Sequence, residues 1–138
     1  MNYKIISKYI RKINFEIPSP QIFYLLSKNI SNYKIKIDIQ SNQIKEKIIE
    51  VQTTLALDPI KDNFEKINTQ IIYSAIIELE GEINKKKMEE IILIKVPTEI
   101  YPDLRKIFIF TFANSSFKDI KIDKIVDFEK LYNLKKLQ

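Results

Sequence analysis

The chain has 138 residues, of which 45% are hydrophobic and 30% charged, and its 23 basic and 18 acidic side chains give a net charge of +5. It contains no cysteine and no histidine, which excludes disulfides, thiolate metal sites, cysteine nucleophiles and the commonest general base. Its single glycine, Gly81, excludes phosphate-binding loops of the Walker and dinucleotide types, so we expect no enzymatic activity, catalytic residue, metal or cofactor.

The first predicted element is a strand over residues 4–16. It is less regular than those that follow, and its pattern places Tyr9, Ile13 and Phe15 on one side. Pro18 ends it, because proline cannot donate to a strand ladder. The next segment, residues 21–32, is apolar and too long for a tight turn, so we expect a crossing connection.

Strict alternation of apolar and polar residues then predicts an antiparallel hairpin. Its strands are residues 33–40 (YKIKIDIQ) and 47–59 (KIIEVQTTLALDP), with a polar turn expected at residues 41–43. The apolar face of the first strand carries Tyr33, Ile35, Ile37 and Ile39. The same face of the second carries Ile49, Val51, Thr53, Leu55 and Leu57. A fourth strand is predicted over residues 70–83, with one face made by Ile71, Tyr73, Ala75, Ile77 and Leu79.

The period changes to that of a helix near residue 104. Apolar residues at helical spacing are Leu104, Ile107, Phe108 and Phe112, with Thr111 among them. Ile109 and Phe110 place apolar side chains on the opposite side of the helix as well. This helix therefore needs burial on two sides, and a second subunit is the simplest way to bury the second side. The alternative is a strand over residues 107–112, since aromatic and β-branched residues favour sheets.

Two shorter helices are predicted on either side of this one. The first covers residues 88–95 and ends at Val96–Pro97, because the residue before a proline disfavours helix. The second begins after Asp127 as N-cap and points Phe128, Leu131 and Tyr132 inward. The predicted fold is one α+β domain over residues 1–138, a four-stranded antiparallel sheet followed by a long helix and a shorter C-terminal helix.

Neither a secretion signal nor a membrane span is predicted. Charge is scattered through residues 1–12, and the uncharged run at residues 107–117 is shorter than the roughly 20 residues that a helix needs to cross a bilayer. We therefore expect a cytoplasmic protein without membrane insertion.

In this order, the elements resemble the SecB family of export chaperones. The likeness lies in residues 13–23 (INFEIPSPQIF), the hairpin, residues 96–106 (VPTEIYPDLRK) and residues 116–134 (SFKDIKIDKIVDFEKLYNL). The third stretch is the most specific, with Pro97, Tyr101–Pro102 and Arg105 matching the signature of the family.

The resemblance implies a homotetramer built as a dimer of dimers that holds unfolded polypeptides, its clients, in apolar grooves. The corresponding groove residues are Phe23, Ile35, Ile37, Ile39 and Tyr132, although the three isoleucines fit a core role equally well. The resemblance also places Phe108 and Phe112 in the core or the oligomer interface.

The resemblance further implies that carboxylates on the outer sheet face dock the SecA motor. Glu16 fits one such position, but Lys12 stands where an acid is expected and Ser74 is the counterpart on the fourth strand. The chain also ends at Gln138 without the tail that often helps to bind the motor. Reversed charge lowers electrostatic complementarity at a docking site. The resemblance therefore supports SecA binding less than it supports the holding of clients.

The function expected is that of an ATP-independent holdase, which keeps polypeptides unfolded for Sec-dependent export. The first alternative is a SecB-like chaperone dedicated to an antitoxin in a toxin–antitoxin system. The second is a basic nucleic-acid-binding module, in which residues 85–87 (KKK) contact phosphates. Nucleic acid is the less favoured partner, because arginine occurs only at positions 11 and 105.

Overall fold

The computed structural model of the chain describes residues 2–61, 67–117 and 120–136. Four antiparallel strands lie in the order β1-β4-β3-β2, and the helices cover one face of this sheet. The elements are β1 (Tyr3–Glu16), α1 (Pro20–Asn29), a 3-10 turn (Ile30–Asn32), β2 (Tyr33–Lys45), β3 (Ile48–Pro59), β4 (Asn68–Leu79), α2 (Lys85–Glu90), a π-helical turn (Ile91–Lys95), α3 (Val96–Ala113) and α4 (Phe128–Lys136). The predicted fold class is confirmed.

The predicted faces of β2, β3 and β4 are confirmed by the pairing. Ile35 lies opposite Leu57 and Ile37 opposite Leu55, and β3 in turn pairs Leu55 with Ile71. The odd-numbered residues of all three strands therefore share the face that packs against the helices, as period-two alternation requires.

Two extra residues in β1, Ile6 and Arg11, change the face that this strand presents. Each bulge moves the following side chains to the other side of the sheet. Tyr9 lies on the outer face, whereas Ile13 and Phe15 face the helices. The prediction that these three share one side was wrong for Tyr9, because the bulge at Arg11 lies between them.

The hairpin turn lies later than predicted. β2 continues to Lys45, and the turn consists of Glu46 and Lys47, the latter with a positive φ of 65°. The polar residues 41–43 are paired with β3, where Asn42 lies opposite Glu50. The polarity of Asn42 fits its partner Glu50 on the outer face, whereas Ser41 and Gln43 lie opposite Val51 and Ile49. The predicted turn was therefore wrong.

The connection after β1 contains a helix, α1, that the sequence analysis missed. The Ser19 hydroxyl accepts a hydrogen bond from the Ile22 N–H (3.1 Å), and Pro20 occupies the first helical position. Both features are typical of a helix start. Leu26 is buried in the core cluster, and the half-buried Ile22 and Phe23 also pack against it, so these side chains anchor α1.

The predicted break at Pro97 was also wrong, because α2, the π-helical turn and α3 are continuous. In the wider turn the Val96 N–H donates to the Ile91 carbonyl, five residues back, and Pro97 has no N–H that would need an acceptor. The Thr98 hydroxyl donates a hydrogen bond to the Ile94 carbonyl at 2.6 Å. The chain enters this helix from β4 through Gly81, whose φ of 73° suits a residue without Cβ.

The helical prediction for residues 104–112 is confirmed, and this helix supplies the centre of the core. Phe112 packs edge-on against Phe15 at 5.1 Å between ring centroids, stacks on Phe108 at 4.6 Å and contacts Phe117 at 6.0 Å. On the same helix Phe110 is 69% exposed. One side of α3 therefore fills the core and the other side is open.

The last helix begins as predicted. The Asp127 carboxylate accepts a hydrogen bond from the Lys130 N–H at 3.0 Å, which makes Asp127 the N-cap. Phe128 is buried beside Tyr101, with ring centroids 6.0 Å apart. This contact fixes the start of α4 against the long helix.

Candidate functional site

A groove runs along the helix-facing side of β2, the edge strand opposite β1. Its floor is made by Ile35, Ile37 and Ile39, which are only half-buried. The equivalent residues of the central strand β3 are fully buried, because β3 has a neighbouring strand on each side and helices over this face. The edge position of β2 is what leaves its isoleucines partly open.

The first part of the groove is a cavity of about 950 Å³ between β2 and α4. Its apolar lining includes Ile37, Ile39, Leu93, Phe128, Leu131 and Tyr132. The Tyr132 hydroxyl donates to the Glu89 carboxylate at 2.8 Å, and this hydrogen bond raises the pKa of the phenol. The bond joins α4 to α2 across the cavity, so α4 forms a fixed wall.

The second part is a cavity of about 550 Å³ between β2 and the segment that leads to α4. Its apolar lining includes Ile35, Ile37, Leu57, Tyr101, Ile122 and Val126. Ile37 belongs to both cavities, so they lie side by side along the strand. Together they form an elongated apolar site of the shape that an extended polypeptide fills.

Two side chains of α3 hold the wall of the second cavity. The Tyr101 hydroxyl donates to the Asp123 carbonyl at 2.6 Å, and the Arg105 Nε donates to the Ile122 carbonyl at 3.2 Å. Burial raises the pKa of the Tyr101 phenol further above the neutral range, and the protonated phenol is the hydrogen-bond donor here. The sequence analysis quoted both residues as signature positions without assigning them this role; their spacing of four on a helix was the available signal.

Four of the five predicted groove residues lie at this site, and one does not. Ile35, Ile37, Ile39 and Tyr132 line the two cavities. Phe23 packs on Phe117 at 5.4 Å and borders a separate hollow beside Pro18 and Ser115. Contact with a client stays a prediction for all five.

Phe108 and Phe112 lie in the core of the single chain, where neither has any exposed surface. Their place in an oligomer interface stays a prediction. Phe110 is the large aromatic side chain that α3 leaves open.

The outer sheet face carries the positions predicted for motor docking. Glu16 is exposed at the end of β1, and Lys12 is exposed on the same face. Ser74 is completely buried at its position opposite Tyr9. Docking through Glu16 stays a prediction, and Ser74 offers no surface to a partner.

A buried carboxylate also lies on this outer face. Glu50 is only 5% exposed and accepts hydrogen bonds from the Tyr9 hydroxyl, the Arg11 guanidinium (2.9 and 3.1 Å) and the Gln52 amide (3.1 Å). Tyr9 and Arg11 come from β1 at its second bulge. Glu50 therefore fixes the bulged part of the edge strand to the middle of the sheet.

Burial alone would raise the pKa of Glu50, but the hydrogen bonds from Tyr9, Gln52 and Asn42 lower it from 4.5 to about 2. A lowered pKa means that the ionised carboxylate stabilises the folded state. This stabilisation is complete above pH 4.5 and is lost as the pH falls to about 2.

The change Glu50→Gln should therefore lower the free energy of unfolding by about 1–2 kcal/mol at pH 7, since charge-assisted hydrogen bonds are lost. Urea unfolding measured from pH 7 to pH 2.5 should show the difference from the unmodified chain shrinking below pH 4.5. Glu46→Gln at the exposed hairpin turn is the matched control and should have little effect at any pH. A constant difference between the unmodified chain and Glu50→Gln across this range would contradict the assignment.

Among the described residues, no group of three or more carboxylates is placed to hold a metal ion. None of the helices in the described ranges combines the length and the apolar character that crossing a membrane requires.

Comparison with known proteins agrees with this architecture. The family profile described as preprotein translocase subunit SecB matches residues 1–138. A putative protein-export protein SecB of Pelagibacter ubique is 39% identical over 132 residues, which cover 95% of this chain and 94% of that protein. The protein-export protein SecB of Anaplasma marginale is 23% identical, over 94% of this chain and 79% of that protein.

The fold is similar to that of a solved SecB-like chaperone of Mycobacterium tuberculosis, determined in complex with a ChAD peptide from an antitoxin. The TM-score is 0.59 at 8% identity, with 88% of this chain and 90% of that chain covered. Sequence profile, relatives and fold agree, and the chain belongs to the SecB family.

Proposed function

We propose that this chain is an ATP-independent chaperone that holds unfolded polypeptides in the β2 groove and keeps them competent for Sec-dependent export. The observation that carries the proposal is the pair of adjoining apolar cavities along an edge strand. Relatives named as export proteins support the export role over that of a chaperone dedicated to one antitoxin. The proposed location is the cytoplasm, where such clients are made.

Binding of this kind needs no catalytic group. An unfolded chain exposes apolar side chains, and each Å² of apolar surface removed from water contributes roughly 25 cal/mol. An extended groove accepts many sequences because backbone pairing and alternating side-chain contacts are not sequence-specific. Capture competes with folding of the client, so slow folders are retained and fast folders escape.

The proposed assembly is a homotetramer, and the open side of β1 and α3 supports it. Ile6, Ile10 and Ile13 on β1 are 47–52% exposed, and Phe110 on α3 is more exposed still. Apolar surface of this extent on an edge strand and a neighbouring helix is typical of a contact between subunits. SecA remains the proposed motor partner through Glu16.

The test is refolding of a slow-folding, chemically denatured protein with and without this chain at moderate salt. A stoichiometric amount of the chain should delay or arrest refolding, because it binds the client while the apolar side chains of the client are still exposed. A fast-folding protein of similar size is the control and should refold unhindered. Unchanged refolding of the slow folder would remove the holdase proposal, whatever the outcome with SecA.

A further inference from the structure

The wall of the second cavity is a segment without regular secondary structure. This wall segment consists of residues 120–126 and leads into α4. Within the described ranges, residues 121–126 form no backbone–backbone hydrogen bond, so the segment is not a further strand of the sheet. Its apolar side chains Ile122 and Val126 nevertheless line the cavity and pack against the core cluster. The position of the wall therefore depends on side-chain contacts.

Hydrogen bonds from α3 fix the middle of the wall segment. The Arg105 Nε and the Tyr101 hydroxyl donate to two successive carbonyls of this segment, those of Ile122 and Asp123, at 3.2 and 2.6 Å. Residues four apart lie on one face of a helix, so both donors approach the segment from the same side. The Tyr101 ring is buried and packs edge-on against Phe128, which holds its hydroxyl in place.

The two donors differ in their relation to the groove. The Tyr101 ring lines the second cavity, so a change at this residue alters the cavity surface directly. Arg105 is half-buried and lines neither cavity. Within the described ranges its guanidinium forms no ion pair, and its hydrogen-bond acceptor is the Ile122 carbonyl. Any influence of Arg105 on client binding must therefore pass through the wall segment.

We propose that Arg105 is a positioning residue for client binding, which holds the wall segment where Ile122 and Val126 complete the second cavity. This rests on the proposed holdase function. A wall that is in place before the client arrives favours binding, because a client that had to order this segment would lose part of its binding free energy to that ordering. Arg105 therefore raises the affinity for the client without touching it.

In the simpler interpretation, apolar packing and the anchor of Phe128 at the start of α4 hold the wall segment, and Arg105 only satisfies one carbonyl. Under that interpretation, loss of the arginine leaves the affinity for clients unchanged. The two interpretations therefore predict different binding data.

The first experiment replaces Arg105 in two ways that remove the same charge. Arg105→Gln keeps an N–H donor as many bonds from the backbone as the arginine Nε, whereas Arg105→Met places a methyl group there. Fluorescence anisotropy with the full chain measures the binding of a labelled peptide in which valine alternates with serine. We expect an affinity roughly three- to tenfold lower for Arg105→Met, which is the effect of losing one hydrogen bond, and nearly unchanged for Arg105→Gln.

Hydrogen exchange and a second substitution show whether the loss passes through the wall. The amides of residues 120–126 should exchange faster in Arg105→Met than in the unmodified chain, while those of β2 keep their rates. Ile122→Gln places a polar amide on the wall segment itself, and Ile39→Gln places one in the first cavity, which the wall segment does not line. The affinity losses from Arg105→Met and Ile122→Gln should be less than additive, whereas those from Arg105→Met and Ile39→Gln should add.

Unchanged affinity or unchanged exchange of the wall segment in Arg105→Met would overturn the inference. An equal loss of affinity in Arg105→Gln, or additive losses for Arg105→Met with Ile122→Gln, would overturn it as well. In each of these cases the unmodified chain still binds the peptide, so the holdase proposal stands. If the unmodified chain binds no peptide and leaves refolding unaffected, the proposed function and this inference fail together.

Discussion

Replacing Phe112 with alanine should lower the free energy of unfolding by about 3–5 kcal/mol. The ring has no exposed surface and contacts Phe15, Phe108 and Phe117, so its removal leaves a cavity that joins a strand, the long helix and the segment after it. Neighbouring aromatic rings are rigid and cannot collapse fully into that space. Urea unfolding followed by circular dichroism at a fixed protein concentration measures the loss.

Phe110→Ala is the matched control, since it makes the same change two residues away on the same helix at a ring that is 69% exposed. We expect it to cost less than about 1 kcal/mol in the free energy of unfolding of the single chain. If this loss grows with protein concentration, Phe110 contacts another copy. A loss at Phe112 no greater than that at Phe110 would contradict the assignment of Phe112 to the core.

The sequence predicted the faces of β2, β3 and β4 because each predicted strand carries one continuous apolar face, and no bulge lies within the predicted stretches. Alternation with a period of two then identifies that face directly. β1 is different, because two bulges shift its register against β4, a strand far along the chain. Arg11 bulges toward Glu50, 39 residues away, and no local pattern in β1 contains that information.

The long helix shows a second limit of local patterns. A proline usually marks a helix boundary, and Pro97 was interpreted in that way. Here the preceding turn is widened, and the helix continues through Pro97 although this residue has no N–H to donate. Whether a turn widens depends on how the helix packs against the sheet, which is a tertiary property.

The groove was predicted through family resemblance, and the structure shows which part of that prediction had a physical basis. Ile35, Ile37 and Ile39 were visible as an apolar face, and their edge position decides that they stay partly open. Tyr101 and Arg105 act on backbone carbonyls of a connecting segment. Any residue supplies such a carbonyl, so the sequence of that segment could not reveal the contact.

Ile37→Gln should weaken client binding roughly ten- to a hundredfold, which is the effect of losing the burial of one large aliphatic side chain. Ile37 is the apolar side chain that lines both cavities, so a polar amide there interrupts the apolar surface at its middle. The isoleucine is half-buried, and its replacement therefore costs the fold less than a core substitution does. Fluorescence anisotropy with a labelled peptide in which valine alternates with serine measures the loss, as does retention of a denatured client.

Ile44→Gln tests whether that loss belongs to the groove. Ile44 lies on the same strand, is 53% exposed and is left unpaired by an irregularity near the hairpin turn. The substitution is chemically identical, and the cavities do not include this residue. If both variants lose binding equally, the client uses exposed apolar residues of β2 in general; if only Ile37→Gln does, the contact lies where the two cavities meet. The geometry predicts the second result. Affinity depends on apolar surface that lies inside a cavity, and the cavities along β2 end before Ile44.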